Sequence, residues 1–302
     1  MSRKHSFSFL FLFWILTSSN WLPQRTEWTG FRVMTFNVLF SSLDMERTAE
    51  VLTLAQADLI ALQECSPYLL KELAARLGYF FYPFPKNCCN LTGTDTGLLS
   101  RYPLDTGASA DLVQVQLPNG EQLDLVNMHT LPFHYVPDLL RARKIQGAQA
   151  ALRYSTESER NEQVEAGLLA LSGSTHALMI GDFNEPSHLD WTAATADRHF
   201  GLELAFPLSK KMAQQGFKDA FREYLPDPQC HPGATWDASS KDPEVEDRID
   251  YIYYRSAALQ LEHCFLIGES TETATDRLED FPSDHRAVMP DFRWIAEKTE
   301  AL

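Results

Sequence analysis

No two cysteines in this chain stand in a CxxC spacing, so Cys65, Cys88, Cys89, Cys230 and Cys264 do not read as a structural zinc site. Positive charge is also scarce. The 26 Lys and Arg face 41 Asp and Glu, and the formal charge of -15 argues against a broad basic surface for gripping nucleic acid. An acidic enzyme can still approach a polyanion through a local basic strip, and a carboxylate-rich site is what a hard metal ion requires. No Gly/Ser-rich linker or internal repeat divides the chain. With 44% hydrophobic and 22% charged residues it reads as an ordinary globular protein with a sizeable core, not a disordered one.

The N-terminus differs from the rest. Arg3, Lys4 and His5 precede the apolar run Phe9 to Leu16, which ends in Thr17, Ser18 and Ser19, the outline of a signal peptide over residues 1–20. The run is roughly half the ~20 residues a bilayer span needs, so a retained N-terminal anchor is the lesser alternative, and no stable membrane span is expected once the signal is removed. The expectation is a secreted, periplasmic or extracellular protein. Export would permit disulfides, with Cys88 or Cys89 reaching Cys230, and would give meaning to the glycosylation sequon Asn90-Leu91-Thr92.

From Phe31 onward, short runs rich in β-branched and aromatic residues alternate with helical patterns, which predicts one domain over residues 30–295 and a short tail at 296–302. Strands are expected at Phe31–Phe36, Leu59–Gln63, Gly97–Ser100, Leu123–Met128, Ala177–Ile180 and Ile249–Tyr254. Helices are expected at Met45–Ala55, Pro67–Leu77, Pro137–Leu152 and Glu157–Leu171, the second opened by Ser66 as N-cap and Pro67 in the first turn. This mixture implies packed sheet layers covered by helices.

Chemistry-bearing residues gather at the strand ends. Asn37, Glu64, His129, Asp182, Asn184 and Asp250 each fall in or just beyond a predicted strand, and Ser283-Asp284-His285 precedes the apolar run Ala287-Val288-Met289. Taken singly, each has an ordinary explanation as a turn, cap or satisfied polar group. A charged Glu64 directly after a buried strand nevertheless calls for a partner, and a metal ion or an arginine would serve. Two histidines among four carboxylates at equivalent strand ends make coincidence unattractive.

These blocks carry a resemblance. Thr35-Phe36-Asn37, Leu62-Gln63-Glu64, Gly97 to Pro103, Asn127-Met128-His129, Gly181-Asp182-Phe183-Asn184, Arg248 to Ile252 and Ser283-Asp284-His285 occur in the order found in the endonuclease/exonuclease/phosphatase superfamily, across nearly all of residues 31–293. The resemblance implies a deoxyribonuclease I-like α/β fold, a four-layer sandwich of two mixed β-sheets flanked by helices. It also implies a divalent-metal-dependent phosphoric ester hydrolase using Mg2+, with Mn2+ as an alternative. Glu64 would bind the ion with Asn37 and Asp284 close by. Asp182 and Asn184 would position water and phosphoryl group, and His285, paired with Asp250, and His129 would contact the scissile phosphate.

Specificity is expected in the loops, where His188, Trp191, His231 and Trp236 are candidate substrate contacts. A small or lipid-derived phosphodiester is favoured over nucleic acid, because the chain lacks a basic, aromatic-laced strip. The alternatives are a secreted deoxyribonuclease I-like nuclease and a non-catalytic binding protein on the same fold.

Overall fold

Every residue from Phe31 to Asn37 is buried, the polar Arg32, Thr35 and Asn37 included, so the strand must be covered on both faces. The computed structural model describes residues 30–40, 44–85, 95–106, 110–240 and 246–295. The expected signal peptide, Cys88, Cys89 and the sequon lie outside the described residues.

In chain order, the elements begin with β1 (Gly30–Asn37), α1 (Met45–Ala55), β2 (Leu59–Gln63), α2 (Pro67–Leu77), β3 (Phe80–Pro83), β4 (Gly97–Ser100), β5 (Leu104–Asp105), β6 (Val113–Gln116) and β7 (Gln122–His129). There follow α3 (Val136–Arg141), α4 (Gly147–Thr156), α5 (Arg160–Ala170), β8 (Ala177–Asp182), α6 (Pro207–Gln214), β9 (Lys218–Asp219), α7 (Ala220–Tyr224), β10 (Asp250–Arg255), β11 (Leu259–Gly268), β12 (Asp276–Arg277) and β13 (Ala287–Trp294). They form two mixed sheets, of order β12-β11-β13-β1-β2-β4-β3 and β5-β6-β7-β8-β10-β9, flanked by helices.

Side-chain alternation divides the core into layers. Phe31 and Val33 of β1, Leu59 and Ala61 of β2, Leu123 and Leu125 of β7, Leu178 and Ile180 of β8, and Ile252 and Tyr254 of β10 pack together between the sheets. Their neighbours turn outward. Met34 and Phe36 pack with Val51, Leu52, Leu70 and Leu73 of α1 and α2, while Val126, Met128 and Met179 pack with Val164 and Met212 of α5 and α6.

The second helix matches its sequence signal, with Ser66 accepting the Leu69 N–H, and Asp44 caps the first by accepting the Arg47 N–H. The helix expected at Pro137–Leu152 is instead two, α3 and α4, because Arg143 and Gly147 take left-handed conformations at φ 55° and 75° that interrupt the ladder. The helix expected from Glu157 begins only at Arg160. Gly181 permits the parallel β7–β8 pairing: at φ 135°, a Cβ there would lie 1.9 Å from the Met128 carbonyl oxygen. Among the described residues no helix is long and apolar enough to cross a membrane. Cys65 and Cys264 are buried thiols and Cys230 is exposed.

Candidate active site

The alternation that fills the inter-sheet core also determines what stands at its end. Continuing along the inward-facing rows, β1 reaches Thr35 and Asn37, β2 reaches Gln63, β7 reaches Asn127 and His129, β8 reaches Asp182, and β10 begins with Asp250. Register aligns them: Asn37 lies opposite Gln63, and Asp182 lies opposite both His129 and Asp250. An amide layer closes the apolar core. Gln63 donates to Asn127 Oδ1 at 2.8 Å and accepts from Thr35 at 3.2 Å, while Asn127 donates to the carbonyls of Leu62 and Gly97 at 3.0 Å. The ionisable groups sit above this layer.

Asp182 is at the centre. Its Oδ1 accepts the backbone N–H of Asn184 at 2.8 Å, and its Oδ2 accepts Asn37 Nδ2 at 3.1 Å across the seam between the sheets. His129 Nε2 and His285 Nε2 each stand 3.8 Å from Asp182 Oδ2. Their far nitrogens are held: His285 Nδ1 lies 2.9 Å from Asp250 Oδ2, and His129 Nδ1 lies 3.0 Å from Asp95 Oδ2. A carboxylate on the far nitrogen fixes the ring and its tautomer. Two imidazoles therefore present Nε2 to the same space from opposite sheets.

Burial opposes the charge on His285, but Asp250, Asp182 and Asp284 outweigh it and push its pKa up to about 10. Burial pushes Asp182 up as well, and Asp250 adds to this against the two histidines and the Asn184 amide. Asn184 adopts φ 46° and donates through its side chain to the Thr130 carbonyl at 3.0 Å.

Beside this group lies a second one. Glu64, left-handed at φ 56°, accepts Asn37 Nδ2 at 3.2 Å on one oxygen and the Phe40 N–H at 2.8 Å on the other. Burial raises the Asp284 pKa, with Asp237 and Glu64 adding to the effect. Trp236 Nε1 donates to Asp284 Oδ2 at 3.2 Å, and Asp284 Oδ1 is buried with no hydrogen-bond partner among the described residues. Ser283 ties this loop to β1 by donating to the Asn37 carbonyl at 2.7 Å.

The four expected loop contacts separate. Trp236 adjoins the cluster through Asp284 and stands edge-to-face on Tyr135 at 5.6 Å. Trp191, 1% exposed, is a core residue stacked on His199, with its N–H on Asp247, so it does not reach the rim. His188 shares Ser209 in a depression that includes Lys218 and Tyr253 on the outer side of the second sheet. His231 is exposed, and its carbonyl accepts from Arg222.

Three features were absent from the sequence reading: Asp95 as the partner of His129, the amide layer, and the buried pair Asp190 and Asp219 on Arg248. Asp95 precedes β4, which runs antiparallel to β2, so its position two residues before Gly97 was the available signal.

Glu185, just past the cluster, supports the loop from beneath. It accepts from Ser155 of α4 and from the Leu208 N–H of α6 at 2.9 Å. Burial pushes it up to about 7 from 4.5, against the opposing hydrogen bonds of Ser155 and Leu208. Because the folded value is raised, the protonated fold is fully stabilised below the unfolded value, and that stability is lost as pH rises through about 7. Glu185→Gln can still accept the Leu208 N–H on its oxygen and can donate through its amide nitrogen to Ser155 Oγ, without the charge. Urea titrations from pH 5 to 8 should show a shallower pH slope for the variant, and a gain over the parent of about 2–3 kcal/mol at pH 8.

Two opposed sheets, with carboxylates, imidazoles and amides at one end of the seam, fit the class of phosphoester hydrolases. Residues 34–285 match the model of the Endonuclease/Exonuclease/phosphatase family, and the chain belongs to it, a family of phosphoester hydrolases. An uncharacterized protein of Caenorhabditis elegans, F14F9.5, is 25% identical over 312 residues, covering 95% of this chain and 98% of that protein. An endonuclease/exonuclease/phosphatase from Beutenbergia cavernae has the same fold, with a TM-score of 0.57 and 16% identity over 89% of this chain and 72% of that one. So does D. rerio TDP2 complexed with a single-strand DNA product, with a TM-score of 0.56 and 19% identity over 88% of this chain and 99% of that one.

Proposed function

We propose that this protein is a divalent-metal-dependent phosphodiesterase acting on a small or lipid-derived substrate by attack of water. The observation that carries the reading is the pair of Nε2 atoms, each 3.8 Å from Asp182 Oδ2 and each backed by its own carboxylate. In this reading the phosphoryl group lies between His129, His285 and Asn184. Asp182, whose affinity for protons is raised, orients the attacking water and takes its proton, while protonated His285 donates to a phosphoryl oxygen.

The residues present fit a hard cation. Glu64, Asp284 and the Asn37 side chain offer only oxygen donors, and the buried, unpartnered Asp284 Oδ1 is the kind of atom a cation satisfies. Bound there, Mg2+ or Mn2+ would offset the developing negative charge and help the leaving oxygen depart. Asp182, Asp250 and His285 also have ligand atoms within 4.8 Å of one another, but a protonated imidazole has no lone pair for a metal. We therefore assign that trio to proton transfer.

The small-substrate preference rests on the mouth. Among the described residues, segments 38–40, 64–68, 130–136, 183–186 and 281–284 contain no Lys or Arg, so a polymer backbone finds no cationic track in them. The test is hydrolysis of bis-p-nitrophenyl phosphate, a phosphomonoester, sphingomyelin, inositol phosphates and DNA, with metal added and with chelator. The expected result is chelator-sensitive turnover of a small diester above DNA. Preferential DNA cleavage would instead make the protein a nuclease, and inactivity on every substrate with all metals would favour a binding protein.

A further inference from the structure

The two carboxylate oxygens of Asp284 are not equivalent. Oδ2 accepts the Trp236 indole N–H at 3.2 Å, while Oδ1 is buried with no hydrogen-bond partner among the described residues. The indole is itself held. The Thr235 and Trp236 N–H groups both donate to the Asp247 carbonyl at 2.9 Å, and the Tyr135 ring meets the indole edge-to-face at 5.6 Å. Tyr135 is fixed in turn, because its hydroxyl donates to Asp247 Oδ2 at 2.7 Å, and Asp247 Oδ1 accepts the Trp191 N–H at 3.1 Å. On the other side, the Ala238 N–H donates to the Asp284 carbonyl and the Arg286 N–H to the Thr235 carbonyl, each at 2.7 Å. Segment 235–238 therefore runs alongside the loop that carries Asp284 and sets one donor against one of its oxygens.

An oxygen already engaged by an N–H has less to offer a cation, so Asp284 presents one open oxygen, Oδ1. Both Glu64 oxygens are likewise engaged, by Asn37 Nδ2 and by the Phe40 N–H, which disfavours chelation through the pair. Carboxylates held in this way suit Mg2+, which binds through few carboxylates, demands octahedral geometry and keeps several waters. Ca2+ takes more oxygens, in looser geometry, and gains from carboxylates that bind through both. The geometry points to Trp236 as a positioning residue that selects Mg2+ over Ca2+ by holding Asp284 to a single open oxygen. This inference rests on the cation site of the reading above, but not on turnover.

The experiment is calorimetric titration of the metal-stripped full chain with MgCl2 and with CaCl2, comparing the parent with Trp236→Phe, Trp191→Phe and Glu64→Gln. Trp236→Phe keeps an aromatic ring against Tyr135 and removes the donor to Asp284. Trp191→Phe removes the same donor from a different carboxylate, that of Asp247, and so reports what a merely structural loss does. In Trp236→Phe, Mg2+ affinity should fall by about tenfold or more, the usual scale for losing an outer partner of a metal-binding carboxylate, while Ca2+ affinity should hold or rise. Trp191→Phe should keep the parental ratio of Mg2+ to Ca2+ affinity, whatever it does to the melting temperature. Glu64→Gln should lose both ions. An unchanged ratio in Trp236→Phe would overturn the proposal, as would equal shifts in the two tryptophan variants or parental binding in Glu64→Gln. If Trp236→Phe does not fold, Asp284→Asn decides. There the Trp236 N–H takes the amide oxygen and turns the NH2 group toward the ion, so Mg2+ affinity should collapse; parental affinity would overturn the proposal. Hydrolysis of bis-p-nitrophenyl phosphate is followed in parallel. A parent that binds Mg2+, with the expected shift in Trp236→Phe, yet cleaves nothing would sink the hydrolytic reading and leave the selection by Trp236 standing.

Discussion

Replacing His285 with Ala is expected to lower phosphodiester turnover by about a hundredfold to ten-thousandfold, the usual range for a positioned proton donor. The ring is 5% exposed, its Nδ1 is held by Asp250 at 2.9 Å, and its Nε2 faces Asp182 at 3.8 Å. Truncation leaves Asp250 buried and unpaired, which costs about 1–3 kcal/mol of stability. A thermal melt alongside the assay separates the two effects, because a protein that unfolds well above the assay temperature yet turns over slowly has lost chemistry. Asp250→Asn offers a second view. It keeps the ring in place but weakens the hold on its proton, so the upper limb of the pH–rate profile should move to lower pH. A His285→Ala variant with parental turnover would remove this proton donor from the mechanism.

The largest expected effect on stability is at Arg248. Its guanidinium donates to Asp190 at 3.0 and 3.1 Å and to Asp219 at 2.7 Å, and lies 4.7 Å from the centre of the Tyr251 ring. Burial works against its charge, but Asp190 and Asp219 more than compensate, and its pKa is raised. Arg248→Met fills much of the volume but removes the guanidinium that Asp219 and Asp190 share, which should cost about 3–5 kcal/mol in denaturant unfolding. Arg222, 2.6 Å from Asp190 and also attracted by Asp219, tempers the loss. Asp219→Asn in the Arg248→Met background should recover part of it. If Arg248→Met unfolds at the parental denaturant concentration, the buried network contributes nothing net.

These residues also show what the sequence could convey. Asn37, His129 and Asp182 were legible because period-two alternation points every second side chain the same way, so continuing the inward row past the last apolar residue leads to the site. Asp95 was not, because a search for carboxylates after strands overlooks a strand entering from the opposite direction, and β4 does so. Trp191 and His188 failed for a different reason. Beyond Asn184 the chain is no longer a strand, its periodicity lapses, and proximity in sequence to Asp182 says nothing about direction. The broken helix around residues 142–146 belongs to the same class, since composition there favours helix while the backbone at Arg143 and Gly147 does not permit it.

The pairing of β13 with β1, which sets Arg293 opposite Gly30, brings the last strand of the fold against its first. Ser283, Asp284 and His285 lie just ahead of β13, so a growing polypeptide acquires the His285 imidazole and the Asp284 carboxylate after the six other strand-end groups. A ribosome that stalls or terminates before residue 283 releases a chain holding six of the eight strand-end groups and none of the proton-donating dyad's ring. The cluster is therefore assembled only when β13 has docked on β1, so its geometry depends on one of the longest-range pairings in the fold.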